Sequence, residues 1–420
     1  MKIERSDVND LILMNQKALA AVRDGIKDGD IPVWLLLLVL IRLPPKLIFR
    51  FKCVCKQWLS VISNPSFVRF YCSRASLLHP WTFISSYMYF NGLPLSNRML
   101  LADIYSNDYE RPYLHLLSLP SFQHPYGKDY LIIGVSNGLV LYGPLENHTA
   151  VVRVCNPVTG HFITLPPRIG GQGWDNWGFV ANVEDGVLVS YTVMHLYAPF
   201  LRKSRMFYQT EVFVSEIGEW RIHDVHIDRA IDIDPTSMCV YLNGNFHWLA
   251  QRTRLITYDP GKYPDQVRII ALPGEGNVMN SFDYMAASNQ GQLTYYQLND
   301  VPDDLCSLSI WVLNDYRSGD WFLQHKVSLD IEFPDNRIGD HLIPGYPLSV
   351  DPYDPDIIYF GYYLMLVSYN IKTKKLDFDH VNFGRVLDNV SLNREWMTML
   401  VYPPWPVSLS RPSWIAALKD

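Results

Sequence analysis

Chemistry requires proton-carrying or electron-rich side chains gathered in one place, so histidines, carboxylates, cysteines and glycine-rich turns are weighed first. His223 and His226 stand three apart, and Asp228, Asp232 and Asp234 follow just before Pro235. Such a group could ligate a cation or carry protons. Its setting points elsewhere, because the run passes from a strand-like pattern into turn-forming aspartates. That reading puts the histidines on the surface and the aspartates in a solvated loop. Gly170-Gly171-Gln172-Gly173 could cradle a phosphate, but it lacks the strand-to-helix setting of such loops and reads as a connection. The six cysteines are Cys53, Cys55, Cys72, Cys155, Cys239 and Cys306. None has zinc spacing, and Cys55 falls on an apolar stripe that suits packing. The zincin and P-loop motifs are absent. The sequence therefore assigns no catalytic residue, no metal site and no cofactor.

The elements that organise the chain begin at Leu43–Ile62. Leu47, Ile48, Phe51, Val54, Cys55, Trp58, Leu59 and Ile62 recur at the spacing of an amphipathic helix. Pro44 and Pro45 stand where a first helical turn tolerates proline. Upstream, Ile31–Ile41 is apolar except for Pro32. A helix apolar all round must be covered all round, so a partner surface is implied. Arg42, Lys46, Arg50, Lys52 and Lys56 lie here with no acid among them, a face able to steer an acidic partner. The apolar run is shorter than the roughly 20 residues that span a bilayer. With no signal-peptide pattern in MKIERSDVND, this predicts a reducing setting, cytoplasmic or nuclear.

Beyond His79 the helical stripes stop, and short aromatic and β-branched runs alternate with Gly, Asn, Asp and Pro. Four copies of strand, strand, Asn/Asp turn and strand can be read. The first is Gly138–Tyr142, Val151–Cys155 and His161–Leu165. The second is Tyr241–Trp248, Leu255–Tyr258 and Val267–Leu272. The third is Gly291–Leu298, Ser309–Leu313 and Asp320–Val327. The fourth is Ile357–Phe360, Leu364–Tyr369 and Lys375–Val381. A hairpin at Thr210–Trp220 lies between the first two. Units of this size bury both faces only by stacking radially, as in a propeller. A 14% aromatic content suits such packing, and a net charge of −6 argues against a global nucleic-acid binder.

Pro32, Leu35, Leu36, Leu40, Arg42, Leu43, Pro44, Lys46, Arg50, Phe51, Val54, Cys55, Lys56, Trp58, Ile62, Pro65 and Phe67 form a long ordered match. This run resembles the F-box of plant F-box proteins. The strand–NPVTG–strand–LPP arrangement at 151–167 resembles their F-box-associated, Kelch-like domain. The resemblance implies an α+β multidomain chain: an N-terminal arm (1–28), a three-helix F-box module (29–75), an all-β Kelch-like propeller (79–405) and a tail (406–420). It implies docking to a Skp-family adaptor, and through it a cullin–RING ligase, by Pro32, Leu36, Leu40, Leu43, Pro44, Ile48, Phe51, Val54 and Trp58. The propeller would hold a target protein through unassigned residues, with no nucleic acid and no membrane involved. Trp34 and Leu38 depart from the family, which usually carries acids there. Two other readings stay open: a propeller enzyme with a helical appendage, and a degenerate F-box without a ligase role. Tyr402–Pro406 is expected to close the last blade or lie over it.

Overall fold

The computed structural model describes residues 32–43, 45–75, 81–85, 99–103, 116–117, 130–144, 151–157, 161–168, 173–184, 186–199, 207–227, 238–251, 253–274, 281–287, 291–299, 307–329, 347–351, 354–362, 365–380, 397–401, 407 and 409. The N-terminal arm, Pro44, Asp228, Asp232, Asp234, Gly170–Gln172 and Tyr402–Pro406 lie outside them.

Among the described residues four helices come first: α1 Val33–Leu40, α2 Pro45–Phe51, α3 Lys56–Ile62 and α4 Pro65–Ala75. One helix was expected over 43–62, and three in the module. The chain instead breaks at 52–55, where Lys52, Cys53 and Val54 donate to carbonyls only three residues back. Cys55 then turns fully extended (φ −160, ψ 172) and starts α3. Val54 and Cys55 thus leave the stripe and are exposed. The Ser63-Asn64-Pro65 breaker acts as expected. The Asn64 Oδ1 accepts from the Ser66 N–H at 2.8 Å, capping α4 at its proline. The core between these helices is Leu36, Leu37, Leu40, Ile48, Val61, Ile62, Phe67, Val68 and Tyr71. Tyr71 Oη donates to Leu43 O at 2.8 Å and ties α4 to the α1–α2 corner.

Twenty-four strands follow among the described residues, in six four-stranded antiparallel sheets. Sheet 1 is β4 (Tyr130–Ser136), β5 (Leu139–Pro144), β6 (Arg153–Cys155) and β7 (Phe162–Thr164). Sheet 2 is β8 (Gly173–Glu184), β9 (Val187–Pro199), β10 (Phe207–Val214) and β11 (Glu219–His226). Sheet 3 is β12 (Val240–Leu242), β13 (Asn245–Ala250), β14 (Arg254–Tyr258) and β15 (Val267–Ala271). Sheet 4 is β16 (Ser281–Ala287), β17 (Leu293–Asn299), β18 (Ser307–Asp315) and β19 (Asp320–Ser328). Sheet 5 is β20 (Pro347–Val350), β21 (Ile357–Tyr362), β22 (Met365–Asn370) and β23 (Lys375–His380). Sheet 6 joins the first and last strands: β24 (Met397–Val401) pairs with β1 (Trp81–Ser85), then β2 (Met99–Asp103) and β3 (Leu116–Leu117).

The first strands β4, β8, β12, β16, β20 and β24 touch in that order, and β24 returns to β4. That ring closes a six-bladed propeller. The core lies in the seams between sheets, as where Met194, Leu196 and Tyr208 of sheet 2 meet Phe246, Trp248 and Tyr258 of sheet 3. Strands with seams on both sides are buried on both faces, and six of the seven β17 residues are buried. Seam spacing needs glycine at two first strands. A Cβ on Gly134 would stand 2.6 Å from Phe179, and one on Gly178 would stand 2.6 Å from Phe246.

Two hydrogen bonds recur from blade to blade. Asparagines in the turn after a first strand reach forward: Asn137 Nδ2 donates to Ala181 O at 2.7 Å, and Asn243 Nδ2 to Gly291 O at 3.2 Å. Tryptophans at the second position of a fourth strand reach back: Trp220 Nε1 donates to Pro166 O and Trp321 Nε1 to Ala271 O, both at 2.9 Å. The turns between third and fourth strands are fastened by Asp259, Asp315 and Asn370, whose carboxylate or amide oxygens accept backbone N–H groups two or three residues on. One expected strand, Tyr241–Trp248, is divided by this geometry. Asn243 and Gly244 have φ of 50 and 84 and form the hairpin turn between β12 and β13. Val407 and Leu409 pack on the seam between sheets 1 and 2, where Asn156 Nδ2 donates to Val407 O at 2.7 Å.

Candidate functional site

The helical module presents the site that its residues define best. A module this small uses its most apolar positions for its own core. Leu36, Leu40 and Ile48, expected to touch a partner, are 1%, 0% and 0% exposed, so they hold the helices together instead. Pro32 and Val54 are exposed, and Leu43, Phe51 and Trp58 are half-buried. Phe51 and Trp58 meet edge to face, with ring centroids 5.0 Å apart, and fix the angle between α2 and α3. Sequence reasoning left out the outer residues Trp34, Leu35, Val39, Leu47 and Leu59, all exposed. The signal was available: an all-apolar α1 cannot turn every side inward. With Val54 at 59% exposure, large apolar side chains thus reach the surface from α1, α2, α3 and the break before α3. Apolar surface gathered in one small module marks an interaction site.

The first helical turns of α1 to α4 hold no acidic residue. Lys52 lies over the Phe49 ring at 4.3 Å, and partial burial lowers its pKa.

Among the described residues of the propeller, one buried titratable cluster is absent from the sequence reading. Glu211 and His195 are fully buried in sheet 2, and Arg168 reaches them from the connection before β8. Arg168 Nη1 lies 2.7 Å from His195 Nδ1 and 3.6 Å from Glu211 Oε2. Glu211 Oε2 lies 3.0 Å from the same His195 nitrogen. One ring nitrogen serves a single proton at a time, so the Arg168–Glu211 pair holds the charge balance whichever partner it engages. The His195 ring stacks between Trp177 and Tyr197, at 4.4 and 4.8 Å. A glutamate inside the apolar run of β10 was the readable signal. With every member sealed among aromatics, the cluster ties strands together.

His247 is similarly occupied. Its Nδ1 is 3.0 Å from Val240 O and its Nε2 is 3.1 Å from Tyr316 Oη, which assigns Nδ1 as donor and Nε2 as acceptor. Burial pushes its pKa down to about 4 and that of Tyr316 up to about 12. Burial likewise pushes the Cys155 thiol up to about 12, the opposite of an activated nucleophile. His223 sits half-buried on β11; the side chain of His226 lies outside the described residues. Among the described residues no three His, Cys, Asp or Glu side chains gather in a way that could hold a metal ion.

Comparison with known proteins agrees with the two-part build. The F-box domain model matches residues 30–70, and the β-propeller model of F-box proteins like At3g26010 matches residues 110–402. The latter range holds five whole sheets and β24; the sixth is completed by β1 and β2 upstream. "F-box protein At3g26010" of Arabidopsis thaliana is 26% identical over 347 residues, covering 80% of this chain and 76% of the relative. "Putative F-box protein At3g23950", also of Arabidopsis thaliana, is 24% identical over 396 residues, covering 87% and 89%. "Putative F-box/kelch-repeat protein At4g22430" of the same plant is 26% identical over 357 residues, covering 80% and 77%. Among solved structures, TolB from Acinetobacter baumannii aligns with a TM-score of 0.43 at 11% identity, covering 81% of this chain and 72% of TolB. A four-helix F-box region followed by a propeller that matches over more than half of the chain places this protein in the family of F-box proteins with an At3g26010-like β-propeller.

Proposed function

We propose that this protein is the substrate-recognition subunit of a Skp–cullin–F-box ubiquitin ligase. The observation that carries the reading is the outward apolar face of the F-box region. In this reading Pro32, Leu43, Phe51, Val54 and Trp58 contact a Skp-family adaptor, joined by Trp34, Leu35, Val39, Leu47 and Leu59. Pro44 belongs to the same proposed set. Leu36, Leu40 and Ile48 act through the core that shapes this face.

The propeller is proposed to hold the target. The chain leaves α4 at Ala75 and enters β1 at Trp81, a separation that extended chain spans over at most about 20 Å. Trp81 pairs with Val401, so the module is tethered beside the turns that follow first strands. Such a tether keeps a bound target near the ligase, and raised local concentration does the work. In this reading the chain acts without a catalytic group of its own; among the described residues the Arg168–His195–Glu211 and His247–Tyr316 clusters are internally engaged. Cytoplasm or nucleus is the proposed location, supported by the free thiols Cys53, Cys55, Cys155 and Cys239.

The test is co-purification of the full chain with a Skp-family adaptor. A Val54→Glu, Leu59→Glu variant, changed only at exposed positions, should keep its helical signal and lose the adaptor. Retained binding in that variant, or no binding by the parent, defeats the reading. Capture under proteasome block would then identify the target.

A further inference from the structure

The module is electrically one-sided. Residues 31–75 hold seven Lys and Arg and no Asp or Glu. Setting this +7 against the chain's net −6 leaves −13 for the rest. The bases are interleaved with the exposed apolar side chains. Arg42 follows Val39 by three residues, Arg50 follows Leu47 by three, and Leu59 follows Lys56 by three; all six are exposed. Side chains three apart are neighbours on a helical surface. Arg42 is also held against the end of α1, its Nη1 donating to Leu38 O at 3.4 Å.

We infer that the surface docking on this module is an apolar groove rimmed by carboxylates, and that charge sets both the speed of docking and the choice among related adaptors. The inference rests on the adaptor reading above and adds the chemistry of the partner. A rim base meeting a carboxylate adds little affinity through water, but the summed field guides the approach and disfavours a basic-rimmed competitor. An anionic lipid surface fits less well. A membrane-surface helix carries its bases and its apolar face together. Here α1, the most apolar helix, has no base within it, and the bases are spread over α2, α3, α4 and the connections that hold Arg42 and Lys52.

The experiment follows the association of the full chain, captured on a surface, with a purified Skp-family adaptor as salt is raised. The association rate should fall at least about tenfold between 50 and 500 mM salt, as the screening length shrinks from beyond 10 Å to a few ångströms. The dissociation rate should change less than about twofold. Arg50→Glu with Lys56→Glu should lower the association rate by a similar factor, and carboxylate-to-lysine changes on the adaptor rim should restore it. Binding whose rate ignores salt overturns the inference and leaves the adaptor reading standing. No binding at any salt overturns both. Sedimentation with phosphatidylserine vesicles that adaptor cannot reverse also overturns it, in favour of a membrane surface.

Discussion

The helical module and the propeller solve the problem of apolar surface in opposite ways. The propeller stacks sheet on sheet until its first strands form a ring, and its apolar side chains fill seams that have a neighbour on both sides. Its exposed large apolar residues among the described ones, such as Tyr263 and Phe322, are spread over sheets 1 to 4. The module has four short helices, one small core and six exposed large apolar side chains between Trp34 and Leu59. One region completes itself; the other is proposed to be half of an interface. Position in the same chain therefore says little about what an apolar residue does. A leucine in a seam is structural, and a leucine on α3 is proposed to face a partner.

Four experiments press on that contrast. The largest effect is expected from removing residues 382–420. This deletes β24, opens the ring and leaves β1 without its inner partner, so the propeller's cooperative melting should vanish. A truncated chain that still melts cooperatively would mean that closure is dispensable. Next, Leu40→Ala should cost the module about 2–5 kcal/mol of folding stability, because it empties a core site. Leu59→Ala should leave folding within about 0.5 kcal/mol and weaken adaptor binding by roughly tenfold or more. Equal effects of the two substitutions on folding would erase the distinction between core and face.

A third effect belongs to the propeller alone. His247 has a folded pKa near 4 against 6.5 when unfolded. Its contribution is fully present above pH 6.5 and is lost as pH falls from there towards 4. The loss should be about 2 kcal/mol by pH 5. Thermal melts from pH 7.5 to 4.5 should show the decline, and His247→Gln should flatten it. The smallest effect is expected at a seam bond. Trp321→Phe removes the indole N–H that meets Ala271 O and should cost about 1 kcal/mol. No change there would demote the recurring tryptophan bond to a by-product of packing.

The repeat was legible because its marks are local. Asp259, Asp315 and Asn370 bond to their own following backbone, so the turn chemistry stands in the sequence without any knowledge of neighbours. Most second, third and fourth strands could be read from it. The first strands could not. Gly134 and Gly178 are glycines because a phenylalanine side chain of the next blade lies 2.6 Å from their Cβ positions, which no local pattern reveals. The pairing of β24 with β1 joins residues over three hundred positions apart and was equally hidden. In the module, periodicity identified the apolar residues. It could not tell inward from outward across the break at 52–55, so the expected docking set took in Ile48 and left Leu59 on the stripe without a partner role.

The pairing of β24 with β1 also sets a schedule for the ribosome. The F-box region emerges first, and sheet 6 waits for Val401, which at roughly 5–20 residues per second takes some tens of seconds. Throughout that interval β1 displays an unpaired edge, the kind of surface that recruits wrong partners. Only five residues separate α4 from β1, so this edge emerges soon after the module proposed to bind an adaptor. On that proposal an adaptor engaging the nascent chain early would hold a half-made receptor, and the last strand to be synthesised would decide whether it matures or is discarded.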